Sequence, residues 1–135
     1  MHRLLAILAL SACAVVSPNE PETKVVQSGD EFELSPSQSA VVDAGAVTLT
    51  FVKVNEDSRC PTDVQCVWAG DVAAALTVGV AGGEKSATTI HTNIDPKTTI
   101  AGAYKVEVVN VKPVRKSNTT IPQESYLVTF RVTRR

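Results

Sequence analysis

At 135 residues with a formal net charge of -1, the chain has the size of one domain. It carries neither the basic field that draws a protein to nucleic acid nor a polyanionic tail. Aromatics are scarce at 4%, so the apolar content rests on β-branched and small residues, which suit a pleated sheet. The charge is uneven: Cys13 to Asp57 holds eight acids against Lys24 and Lys53, and Ser58 to Arg135 holds ten bases against six acids.

The N-terminus, Met1 to Ala12, has a basic start, a short apolar run and small residues before Cys13. That is the pattern of an export signal, to be kept out of the fold. It is shorter than the roughly 20 apolar residues of a spanning helix. The run Leu10-Ser11-Ala12-Cys13 resembles the lipobox of bacterial lipoproteins. By that resemblance the peptide before Cys13 is removed and Cys13 is acylated, giving firm membrane attachment through several acyl chains. Ala14 stands where an aspartate would favour inner-membrane retention, so the resemblance implies an outer-membrane lipoprotein facing the periplasm. Residues 13–27 carry Pro18 and Pro21 among polar residues and read as a flexible tether. Residues 28–135 are left as the folded domain.

Within that domain, Phe32 and Leu34 alternate with Glu31 and Glu33 in a first short strand, and Gln38 to Val42 forms a second. Val47 to Asn55 is the third, where a change of parity after Phe51 predicts a β-bulge or burial of both faces. Asp71 to Val80 and Lys85 to Thr92 form a hairpin across Ala81-Gly82-Gly83-Glu84. Asn93 to Gly102 reads as a loop, Tyr104 to Pro113 as a strand and Val114 to Glu124 as a polar connection. Tyr126, Val128, Phe130 and Val132 share one face of the last strand. About seven short strands with no helical period predict an all-β antiparallel sandwich, immunoglobulin-like, with a small β-barrel as the alternative.

Between the third and fourth strands, Asp57 to Gly70 concentrates two cysteines, the one tryptophan, Pro61 and three charges. With Cys13 assigned to lipid, Cys60 and Cys66 form an even pair in an oxidising compartment and are expected to be joined. Closing so small a loop contributes about 2 to 2.5 kcal/mol in the chain-entropy picture. A zinc site would need more ligands than His91 and these cysteines supply. The carboxylates Glu56, Asp57, Asp63 and Asp71 offer a calcium alternative without the spacing of an EF-hand loop. No metal or cofactor is therefore expected.

Trp68 follows Cys66 by two residues, which in an extended chain puts both side chains on one face. Packing of the indole on the disulfide is the plain expectation. The other arrangement is an exposed tryptophan beside Arg59, as at binding hot spots. Enzyme signatures are missing: there is no G-x-S-x-G elbow, phosphate loop or H-E-x-x-H. His91 in its Thr-rich strand reads as a surface residue.

The block Asp57-Ser58-Arg59-Cys60-Pro61-x-x-Val64-x-Cys66-Val67-Trp68-Ala69-Gly70 resembles a motif of small exported bacterial proteins of uncharacterised function. That resemblance implies an envelope β domain and transfers no active site. The sequence thus points to a non-enzymatic envelope module with Asp57, Arg59, Asp63 and Trp68 as candidate partner-binding residues, the partner being an envelope protein or glycan. An inhibitor of an exported hydrolase, using the Cys60 to Cys66 loop as a plug, is the competing expectation.

Overall fold

The computed structural model describes Cys13 and residues 21–135; the expected leader 1–12 and residues 14–20 of the expected tether lie outside the described residues. Among the described residues nine strands follow one another: β1 (Thr23–Val26), β2 (Glu31–Leu34), β3 (Ser39–Val42), β4 (Val47–Asp57), β5 (Val72–Val80), β6 (Lys85–His91), β7 (Thr98–Ala101), β8 (Tyr104–Lys112) and β9 (Leu127–Arg134). They form a five-stranded sheet in the order β1-β3-β4-β5-β6 and a four-stranded sheet in the order β2-β9-β8-β7. Every pairing is antiparallel except that of β1 with β3. The two sheets pack face to face as a sandwich and do not close into a barrel. The architecture is that of a two-layer β-sandwich. The connectivity is its own, with consecutive hairpins from β3 to β6 and from β7 to β9, and β2 returning beside β9.

Alternation builds the core. Leu49 and Phe51 of β4, Ala74, Leu76 and Val78 of β5, and Val128, Phe130 and Val132 of β9 are all buried. Phe51 meets Phe130 across the sheets at 5.6 Å between ring centroids. The parity change after Phe51 is a bulge: the register of β4 against β5 shifts between Phe51 and Lys53 and again between Val54 and Glu56. Val52 turns outward as a result, while Val54 is buried.

Two expectations need correction. The tether does not run to Gln27, because Thr23–Val26 pairs residue for residue with Ser39–Val42. Lys24 also donates from Nζ to the backbone oxygen of Glu33 at 2.6 Å. Thr23, Val25 and Val26 suit a strand, but four residues with an exposed Val25 have no buried face of their own; the open edge of β3 orders them. The loop from Asn93 to Gly102 likewise contains β7, whose backbone is organised by β8.

The register also sorts the connections. Residues 35–38, 58–71, 92–97 and 113–126 gather at one end of the sandwich, and 27–30, 43–46, 81–84 and 102–103 at the other.

Candidate functional site

The β4 to β5 connection is long, yet it is tied down along its length. Cys60 and Cys66 are disulfide-bonded with their Cα atoms 5.8 Å apart. Arg59 folds back on Asp57 as a two-pronged pair, donating from Nε to Oδ1 at 2.9 Å and from Nη2 to Oδ2 at 2.7 Å. The same guanidinium donates to the backbone oxygens of Val111 at 2.9 Å and Pro113 at 3.0 Å, so it clasps the other sheet. Tyr126 completes the Asp57 shell, its hydroxyl donating to Oδ2 at 2.9 Å. Planar guanidinium and carboxylate groups match in this bidentate geometry, which makes the contact directional as well as strong.

The tip of the loop is fastened to the β8 to β9 connection. Arg115 donates to the Arg59 backbone oxygen at 2.9 Å, and the Thr62 amide donates to the Arg115 oxygen at 2.9 Å. Asp63 accepts from the Ser117 amide at 2.9 Å and also from the Ser117 hydroxyl. At the base, the Cys60 amide bonds the Ala69 oxygen at 2.9 Å and the Ser58 amide bonds the Asp71 oxygen at 2.8 Å. Gly70 sits where the two arms cross, with φ of 79°. A Cβ there would lie 1.9 Å from the Ser58 carbonyl oxygen, so only glycine fits.

A second buried carboxylate holds the return arm. Asp71 Oδ2 lies 2.6 Å from His91 Nδ1. Oδ1 accepts from the amides of Thr92 at 3.0 Å and Asn93 at 2.8 Å and from the Thr92 hydroxyl at 3.2 Å. A carboxylate only accepts, so the proton of this His pair sits on Nδ1. His91 is therefore a partly buried brace rather than the free surface residue its Thr-rich strand suggests; its side chain is 17% exposed.

These contacts set the charges. Burial raises the Asp57 carboxyl, but the hydrogen bonds from Arg59 and Tyr126 outweigh it and hold the group below the usual carboxylate range. Burial beside that carboxylate pushes the Tyr126 phenol up to about 12. Burial also raises Asp71, and the Asn93 amide, His91 and Thr92 bring it below its ordinary value. Asp63 is lowered by its hydrogen bonds from Ser117.

Of the four residues expected to meet a partner, three face inward or sideways. Asp57 and Arg59 brace each other, and Asp63 is engaged by Ser117. Trp68 is the exception, at 55% exposed. Residues 66–70 are not a strand, and the chain bends at Val67 and Trp68, so the alternation that would turn the indole onto the disulfide does not hold there. Its neighbour Val67 is fully exposed and Val64 nearly half so. The sequence reading missed these valines, although two branched apolar residues inside a turn with no strand alternation were a usable signal. It also missed Arg115, Ser117 and Tyr126, which come from more than 50 residues away and carry no local signature.

The carboxylates proposed for calcium do not converge: Asp57, Asp63 and Asp71 each have separate partners. Among the described residues no cluster of three or more His, Cys, Asp or Glu is placed to hold a metal ion. Comparison of the chain with protein-family models, curated proteins and solved structures finds no match.

Proposed function

We propose that the protein is a non-enzymatic binding or scaffolding module of the bacterial cell envelope, exported, acylated at Cys13 and anchored to the outer membrane facing the periplasm. The observation that carries the binding role is the contrast within one loop. Its charged side chains, Asp57, Arg59 and Asp63, are consumed in bracing it, whereas Trp68 and Val67 stand in solvent. A large apolar side chain on a pre-ordered backbone loses little freedom when it is covered, which is the condition for a binding hot spot. Leu10-Ser11-Ala12-Cys13 supports the anchor.

A photo-crosslinking residue at Gln65, which is exposed, reports what the loop touches in the native envelope. Crosslinked products of any class are expected with the otherwise unchanged protein and are expected to vanish in the Trp68→Ala, Val67→Ser variant, with its unfolding midpoint preserved. Products that persist in the variant place the contact surface elsewhere. Intact mass of the same material tests the acyl chains and the disulfide.

A further inference from the structure

Ten large hydrophobic side chains are exposed among the described residues: Val25, Val52, Val64, Val67, Trp68, Val80, Ile94, Ile100, Val109 and Val114. Five of them lie within strands, one here and one there, as single exposed side chains do on most proteins. The other five lie in connections, and their placement is one-sided. Val64, Val67 and Trp68 belong to residues 58–71, Ile94 to 92–97 and Val114 to 113–126, all at the same end of the sandwich. The connections at the opposite end, Gln27 to Asp30, Asp43 to Ala46, Ala81 to Glu84 and Gly102-Ala103, hold no large hydrophobic side chain.

The chain enters the fold from the apolar end. β1 runs parallel to β3, and Thr23 is level with Ser39, which faces Thr50 of β4. From Thr50 the strand β4 rises toward Asp57 and the loop, a climb of about 20 Å at the usual rise per residue. Traced backward from Thr23, the chain therefore heads toward the end that carries Trp68. The ten residue steps from Thr23 to Cys13 span at most about 35 Å in any conformation. Cys13 thus reaches little past the plane of the loop.

The geometry points to the bilayer itself as the occupant of this end: Trp68, with Val67 and Val64, dips into the interface of the leaflet that holds the lipid of Cys13. This deepens the proposed function and rests on its reading of Cys13 as the anchor and of the loop as the contact surface. Tryptophan suits the boundary between headgroups and acyl chains, since its ring is apolar and its N–H can stay hydrated. Charge plays little part. Arg59, Lys97, Arg115 and Lys116 at this end are balanced by Asp63, Asp71, Asp95 and Glu124, so attachment should be insensitive to salt. A few apolar side chains bind weakly from solution, but an anchor within reach makes the contact intramolecular.

Trp68 is the only tryptophan, so its fluorescence reports this contact alone. Cys13 is the free cysteine, so the full chain is coupled there to a maleimide phospholipid and reconstituted into phosphatidylethanolamine and phosphatidylglycerol vesicles. This test does not depend on whether the cell acylates Cys13, a question the intact mass answers separately. The expected result is a blue-shifted Trp68 emission that persists at high salt, is quenched by brominated lipid and is several-fold less accessible to acrylamide than without vesicles. A Trp68→Phe, Glu84→Trp variant, with its reporter at the opposite end, is expected to keep an aqueous emission. Aqueous emission from Trp68, equal lipid quenching at both positions, or release by salt overturns the inference. So does crosslinking of the loop to an envelope protein while vesicles leave the emission unmoved.

Discussion

Each end of the sandwich carries an aspartate, a tyrosine and an arginine in contact, yet the two trios perform different work. At the far end the Tyr104 hydroxyl donates to Asp43 at 2.9 Å, and Arg134 lies over the Tyr104 ring, donating to its hydroxyl at 3.0 Å. That arginine is 68% exposed and only 4.0 Å from the carboxylate. At the loop end Arg59 is 17% exposed, pairs with Asp57 through two prongs and reaches the backbone oxygens of Val111 in β8 and of Pro113 just past it. The far-end trio joins short turns that the strands already define. The loop-end trio, helped by the disulfide, holds a connection that no strand holds. The same residue types therefore differ in worth according to burial and to how much ordered backbone depends on them.

The sharpest way to break this contrast is through glycine. Gly70→Ala forces a Cβ into the Ser58 carbonyl and should lower unfolding stability by about 3 to 4 kcal/mol. Gly45 has φ of 100° and open space around its Cβ position, so Gly45→Ala should lose only about 1 to 2 kcal/mol from the left-handed backbone. Denaturant midpoints of the two variants compare the ends directly. Removing the Cys60–Cys66 bond by paired serine substitution should cost about 2 kcal/mol, with the strand signal in circular dichroism retained. Asp57→Asn should also cost about 2 kcal/mol, less than a fully buried pair because the Arg59 to Pro113 side is open to water. Asp43→Asn, in the exposed trio, should cost clearly less.

Acid offers a gentler probe. Asp57 and Asp71 titrate below their unfolded value of about 3.9. The stability they contribute is fully present above that value and is lost as the pH falls through their folded pKa values. Stability should be flat near neutrality on their account and decline below about pH 4, and Asp57→Asn should flatten that decline. The smallest effect is expected from Trp68→Ala, within about 0.5 kcal/mol of the parent, because the indole contributes little to the folded domain. A larger loss would mean that Trp68 is part of the brace.

The sandwich was legible because the burial of β2, β4, β5 and β9 is written in period two, from Phe32 and Leu34 to Val128, Phe130 and Val132. The bulge after Phe51 was legible for the same reason. β1 and β7 were not, since four-residue edge strands such as Thr-Lys-Val-Val take their order from a neighbour and not from their own pattern. At the site, the cysteine pair could be counted and the Asp57 to Gly70 block stood out by composition. What the block's charges do could not be read. Arg59 finds its acceptors at Val111 and Pro113 and Asp63 its donor at Ser117, partners brought together only by the stacking of two sheets. Whether Trp68 is covered or exposed could not be read either, because alternation carries no information where the chain bends.

Binding through Trp68 at low entropic cost requires a loop that is ordered before anything touches it. Backbone 15N relaxation of the domain free in solution tests this most directly. Order parameters for residues 58–70 near those of the strands, about 0.85, are the predicted result. Values below about 0.6 across the Cys60 to Cys66 turn would show a mobile loop and contradict it.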